Sequence, residues 1–265
     1  MQFDFDTPVN RCGTDSLKWN VGERELPMWV ADMDFKTAPA VIRAVEERAA
    51  MGVYGYGIVP PRWYDAYVHW WQKRHDFRME KDWLCFTTGV VPAISSMVKR
   101  LTNIGDRVVL MTPVYDIFFH SVENAGRTVS ECSLLYDGNH YAIDFAGLEE
   151  QLSHPLATLM ILCNPHNPVG MVFTGEELAR IGALCQKHGV TVIADEIHCD
   201  LTDPGVSYTP FLSVSPVCRE IGIACFSASK AFNLAGMQSA AVAVPAVPLR
   251  NKVVRRRAPV SSTSC

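Results

Sequence analysis

The 265-residue chain contains no apolar run approaching the ~18–20 residues that cross a bilayer, so no membrane span is expected. Its first residues, M-Q-F-D-F-D-T-P, lack a basic stretch followed by an apolar one, and no signal peptide is expected. Repeats and low-complexity segments are absent. Positive charge is not in excess: a net charge of −4 gives no reason to expect nucleic acid or an acidic membrane as partner. None of the nine cysteines forms a C-x-x-C pair, and several lie inside apolar runs, such as Cys163 in L-M-I-L-C and Cys225 in I-A-C-F. That usage fits buried free thiols in a reducing cytoplasm. Cysteine and histidine never cluster at zinc-ligand spacing; His198-Cys199-Asp200 is the nearest approach, and no metal is expected. A G-x-G-x-x-G turn after a strand is also missing. Gly52, Gly55 and Gly57 sit in a Y-G-Y-G stretch with no strand before it, which leaves a nicotinamide-dependent dehydrogenase poorly supported.

What is present is an ordinary globular composition, 48% hydrophobic and 20% charged, and a regular alternation from about residue 84 onward. The spacing predicts helices over 90–103, 115–124 and 174–188. Short β-rich runs fall at 107–111, 128–132, 157–163, 190–194, 221–226 and 239–244. Thr174 and Glu177 have capping-box spacing, and Gly189 follows the same helix at its far end. Near-continuous apolar strands separated by helices imply an α/β fold: a mostly parallel sheet, buried on both faces and flanked by helices. Ligands of such sheets gather at the carboxyl ends of the strands.

Four polar clusters are expected at that edge: T-T-G-V-V (87–91), N-P-H-N-P-V-G (164–170), D-E-I-H-C-D (195–200) and S-A-S-K (227–230). Each has a plain alternative. The first can be an ordinary helix start, the second a loop and the third a solvated strand end. Lys230 can snorkel to the surface. Four such coincidences on one edge are less probable than any one alone.

The clusters share a specific chemistry. A helix start at Gly89-Val90-Val91 presents unpaired N–H groups to a phosphate, and Ser227 adds a hydroxyl. Asp195 can face a protonated ring nitrogen; an ion pair at ~4 Å is worth roughly 4 kcal/mol at an effective dielectric near 20. With about 1.36 kcal/mol per pKa unit, that keeps a pyridinium protonated at neutral pH. Asn167 can bond a phenolate oxygen, and Tyr115 can lie on an aromatic ring. A lysine amine shielded from water condenses with an aldehyde. Phosphate, pyridine nitrogen, phenolate and aldehyde together describe pyridoxal 5′-phosphate.

On these residues the sequence resembles the fold-type I pyridoxal-phosphate enzymes of the class I/II aminotransferase superfamily, and within it the cystathionine β-lyase-like (cysteine C–S lyase) branch. The matching motifs are M-W-V-A-D-M-D-F (28–35), Y-G-Y (54–56), T-T-G-V-V-P-A-I (87–94), T-P-V-Y (112–115), N-P-H-N-P-V-G (164–170), D-E-I-H-C-D (195–200) and S-A-S-K-A-F-N-L-A-G (227–236). They keep the family's order and spacing over about residues 3–245.

The resemblance implies that Lys230 carries the cofactor covalently and then acts as acid and base at the substrate Cα. Asp195 is implied to pair with the ring nitrogen, and Asn167 to contact the ring oxygen with His198 beside it. Tyr115 would stack on the ring, while Val90, Val91 and Ser227 hold the phosphate. Tyr56 is implied to reach the phosphate of a second subunit, because the family's site lies at a homodimer interface. Asp32, Met33 and Asp34 would lie near the substrate entrance. The implied reaction is β-elimination of an L-cysteine thioether such as cystathionine to thiol, pyruvate and ammonia. Two alternatives stay open: an aminotransferase, which uses the same lysine and aspartate, and an inactive cofactor-binding fragment.

The pattern departs from the family in two places. Many aminotransferases have a phosphate-binding arginine where this chain has Gln238, which fits the lyase branch better. Family members also continue well past position 244 into a smaller domain that carries the arginine for the substrate carboxylate. The expected organisation is therefore an N-terminal segment of the small domain at 1–44 and a pyridoxal-phosphate-binding large domain at 45–245. An atypical tail follows at 246–265, read as a truncated or frameshifted end with the small domain largely missing. The Arg255-Arg256-Arg257 run in that tail reads as solvated.

Overall fold

The computed structural model describes residues 3–254, so the Arg255–Arg257 run lies outside the described residues. Seven strands form one sheet: β1 (Leu84–Thr87), β2 (Arg107–Thr112), β3 (Thr128–Ser133), β6 (Ala157–Cys163), β7 (Thr191–Asp195), β8 (Gly222–Phe226) and β9 (Ala240–Ala243). Their order across the sheet is β1-β9-β8-β7-β6-β2-β3. The pairings among β3, β2, β6, β7 and β8 are parallel, and β9 runs antiparallel to both its neighbours. A two-stranded ribbon, β4 (Leu135–Tyr136) with β5 (Tyr141–Ala142), lies apart. The expected mostly parallel α/β sheet is the observed fold.

Helices cover both faces. On one side Val90, Ile94, Met97 and Val98 of α3 (Val90–Leu101) and Phe118 and Val122 of α4 (Ile117–Glu123) pack with Val108, Leu110, Ile161 and Ile193 of the strands. On the other, Leu148 and Leu152 of α5 (Phe145–Leu152) join Leu178, Ile181 and Cys185 of α6 (Gly175–Lys187). They meet the alternate strand residues Val109, Met160, Leu162 and Val192. Strand residues alternate between faces, so two helix layers require nearly every position to be apolar. The α6 capping box forms as its spacing predicts: the Thr174 hydroxyl accepts from Glu177 N, and the Glu177 carboxylate accepts from Thr174 N.

Two further helices precede the sheet. All residues of α1 (Pro39–Ala50) are at least partly exposed, and α2 (Pro61–His75) buries only Trp71. Short helices α7 (Phe211–Val214) and α8 (Pro216–Ile221) lead into β8, and α9 (Val247–Val253) follows β9. Because β1, β2, β6, β7 and β8 all point one way, their carboxyl ends lie on a single edge. Pairing of Thr87 with Ala240 and of Phe226 with Ala241 brings the start of β9 to that edge too.

Candidate active site

Asp195 is the last residue of β7, and its side chain is buried where the strand ends. It accepts a hydrogen bond from Ile197 N at 3.1 Å. Burial pushes its carboxyl up to about 7, against opposing pulls from the Ile197 N–H and the Lys230 ammonium. Glu196 follows it yet serves a different purpose. Its Oε1 accepts from Phe211 N at 2.8 Å at the start of α7, and burial pushes its carboxyl up to about 8. Adjacent acids thus split into one at the sheet edge and one anchoring the chain that follows.

Lys230 lies in the turn after β8, and its Nζ donates to Ala31 O at 3.2 Å. Its ammonium acts on two neighbours, favouring the ionised form of Asp195 and disfavouring charge on His198. Burial, before that charge, holds the His198 imidazole below the usual histidine range, in its neutral form. Tyr115, at 36% exposure, follows β2 and packs edge-on against Phe118 at 5.6 Å. Its hydroxyl is pushed up by burial, then by Asp116 and Asp195. Lys230, Asp195, His198 and Tyr115 therefore act on one another across one site.

Within N-P-H-N-P-V-G the residues divide in the same way. Asn164 and His166 are buried and internal: Asn164 Oδ1 accepts from Phe173 N at 3.1 Å, and the His166 ring bonds Cys163 O and Pro113 O. Asn167 instead lines an open cleft of about 540 Å³ together with Ala31 and His198. Across the edge, α3 starts at Val90 with Gly89 as a cap residue that offers no side chain. Pro92 has no N–H, so the amides of Val90 and Val91 are the first-turn donors there. Ser227 is at the same edge, but its hydroxyl donates to Ser239 O at 2.7 Å and accepts from Ser229 N at 3.0 Å. To donate to a phosphate it must exchange the Ser239 carbonyl for it.

Tyr56 is the exception. It is fully exposed (112%) in the segment between α1 and α2, and no other site residue reaches it within this chain. Sequence reading also missed the staple that holds Ala31 over Lys230. Asn233 donates from Nδ2 to Met33 O and Phe35 O, and its Oδ1 accepts from Met33 N. Thr37 Oγ1 adds a bond to Phe232 O at 2.6 Å. Asp32 and Asp34, expected near a substrate entrance, pair with Arg11 and Lys18, and Trp19 Nε1 donates to Asp34. The one available signal for Asn233 was its place in S-A-S-K-A-F-N, where φ of 54° suits asparagine.

Known proteins resemble the chain in sequence and fold. Cystathionine beta-lyase PatB of Bacillus subtilis is 44% identical over 248 residues, 91% of this chain and 64% of its own length. Cystalysin from Treponema denticola, whose crystal structure contains a pyridoxal 5′-phosphate cofactor, superposes with a TM-score of 0.91 at 34% identity. That match covers 96% of this chain and 66% of cystalysin. A C-S lyase from Staphylococcus hominis, crystallised with the same cofactor bound, gives 0.89 at 30% identity over 95% of this chain and 66% of its own. The chain thus spans about two thirds of the length of these relatives. The sheet is that of the fold-type I pyridoxal-phosphate-dependent transferases. Its strand-end site stands on it, and the family profile for aminotransferase class I and II matches residues 26–265: the chain belongs to that family.

Proposed function

We propose that residues 45–245 bind pyridoxal 5′-phosphate and that the protein is a carbon–sulfur β-lyase acting on an L-cysteine thioether of the cystathionine class. The observation that carries this is the convergence of Lys230, Asp195, His198 and Tyr115, four side chains from three separate chain segments, at one strand edge. The donor set fits the cofactor. A buried carboxyl held near 7 is ready to ionise against a protonated ring nitrogen. Val90 and Val91 offer uncapped amides to a phosphate, and Asn167 with neutral His198 offers hydrogen bonds beside a ring oxygen.

When bound, the cofactor supplies an aldehyde that condenses with amines and a protonated ring that withdraws electrons. The residues do the rest. Lys230 would hold the cofactor covalently, and its amine, once free, would remove the substrate Cα proton. Asp195 would keep a negative charge against the ring nitrogen. Tyr115 would stack on the ring. Thiolate leaves from Cβ, and the net change is thioether plus water to thiol, pyruvate and ammonia. Gln238, in place of a phosphate-binding arginine, favours the lyase over the aminotransferase reading.

The functional unit we propose is a homodimer in which Tyr56 reaches the phosphate site of a second copy. Support comes from the exposed strip of Met51, Val53, Tyr54, Tyr56 and Ile58, apolar side chains that a partner surface would cover. A reducing compartment, the cytoplasm, suits the buried free thiols of Cys132, Cys163, Cys185, Cys199, Cys218 and Cys225.

The test is absorbance of the purified chain with pyridoxal phosphate, followed by addition of cystathionine. A cofactor band that is absent in Lys230→Ala, with pyruvate released, is the expected result. A half-reaction that depends on a keto acid would favour an aminotransferase, and a band without turnover an inactive cofactor-binding protein. No band in folded protein would overturn the reading.

A further inference from the structure

Helix α2 ends at His75, far in sequence from the D-E-I-H-C-D turn, yet the fold closes the two together. A ring nitrogen of His75, the Cys199 sulfur and a carboxylate oxygen of Asp200 all lie within 4.8 Å of one another. We propose that these three side chains form a zinc site, separate from the cofactor chemistry of Lys230.

The His75 side chain is only 4% exposed, and its Nε2 has no hydrogen-bond partner. That nitrogen lies 3.1 Å from Asp200 Oδ1, but the contact is not aligned as a hydrogen bond. An imidazole nitrogen and a carboxylate oxygen at that spacing can converge on a third point. Ligands on a tetrahedral zinc at about 2.0–2.1 Å are themselves roughly 3.3 Å apart, so imidazole and carboxylate already have ligand spacing. Cys199, 6% exposed, adds the soft donor; sulfur, nitrogen and oxygen in one set suit zinc better than calcium or magnesium.

The surroundings are those of a built site. Trp70 Nε1 donates to both Asp200 oxygens, at 3.0 and 3.2 Å, and so fixes the carboxylate as an outer partner does for a metal ligand. Cys199 is held as a neutral thiol, first by burial and then by the Asp200 and Glu196 charges. Zinc binding would therefore send the thiol proton to solvent as the Zn–S bond forms. Arg74 competes for Asp200 with Nε at 3.5 Å from Oδ1, but its side chain is 54% exposed and free to turn to water. Tyr208 packs edge-on against His75 with ring centroids 5.1 Å apart, and Glu196 lies close enough for its charge to act on Cys199. Cys199 and Asp200 also line a cavity of about 300 Å³ walled by Trp63, Tyr67, Trp70 and Phe226, from which a fourth, small ligand can reach the metal.

The test uses the whole chain without pyridoxal phosphate. After equilibration with zinc and removal of excess, the expected content is one zinc per chain. Loading with cobalt(II) should give a thiolate-to-metal absorption band that survives Cys12→Ser and disappears in Cys199→Ser. His75→Gln should weaken zinc binding at least as much as loss of an outer partner does, about 10–100-fold. Unmodified protein that retains no zinc, or shows no thiolate band with cobalt, overturns the proposal however the variants fold. A band unchanged in folded Cys199→Ser overturns it as well.

Discussion

The strand edge and the segment that closes over it meet at Lys230, but different forces hold them. Asp195 and Ser227 stand at the ends of β7 and β8, strands whose interior residues are buried. Residues 28–58, in contrast, leave Met28, Trp29, Tyr54 and Ile58 largely in water, and α1 buries none of its residues. Polar contacts attach that cover: Asn233 to the backbone of Met33 and Phe35, and Arg11 and Lys18 to Asp32 and Asp34. Burying a large apolar side chain is worth about 1.5–3 kcal/mol, whereas the ion pairs of the cover, with Lys18 buried and Arg11 and Asp32 partly so, lose much of their attraction to desolvation. The edge thus owes its place to apolar burial in the sheet, and the cover to a small set of polar contacts.

The largest expected effect breaks the edge. Phe226, the last residue of β8, is buried against Trp71 at 4.5 Å and Tyr67 at 5.4 Å. Phe226→Ala should cost about 3–5 kcal/mol in urea denaturation, by removing apolar contacts and leaving a cavity. It should weaken cofactor binding as well, because Ser227 and Lys230 follow directly.

A pH series sharpens the comparison, because carboxyl groups in the two regions shift in opposite directions. Asp195 and Glu196 are raised to about 7 and about 8, so the native state keeps protons that the unfolded chain has lost. Their contribution is full below about 4 and is lost as pH rises through 7 to 8, on the order of a few kcal/mol. Asp34 is lowered: burial opposes the change, but Lys18, Trp19 and Arg11 outweigh it. Its contribution is present above about 4 and is lost as pH falls further. Denaturation of the cofactor-free protein should therefore give lower stability at pH 8 than at pH 5, with a flatter slope in Asp195→Asn. Hydrogen exchange below pH 4 should release the 28–37 segment before the sheet.

The smallest effect is local. Asn233→Gly keeps the backbone conformation at φ of 54° and removes the side-chain bonds to Met33 and Phe35. Exchange at Met33 should accelerate by roughly tenfold, equivalent to about 1.4 kcal/mol, while strand amides stay unchanged.

The edge was the legible part of the sequence. Strand 157–163 and the Thr174/Glu177 capping box follow from local pattern, and parallel topology then sends Asn167, Asp195 and Lys230 to one place. The cover was less legible, because its attachment depends on contacts some 200 positions apart, such as Met33 with Asn233. The same applies to His75 beside Cys199 and Asp200, a meeting made by the docking of α2 rather than by spacing. Nor did adjacency in D-E reveal that Glu196 anchors Phe211 while Asp195 faces the site; only the strand's termination decides which side each acid takes.

The most direct measurement is borohydride reduction of the protein with pyridoxal phosphate, followed by peptide mapping by mass. The reduced cofactor should lie on a single lysine, Lys230, in the peptide that includes S-A-S-K-A-F-N. Label spread over surface lysines such as Lys73 and Lys187, or none on Lys230, would contradict it.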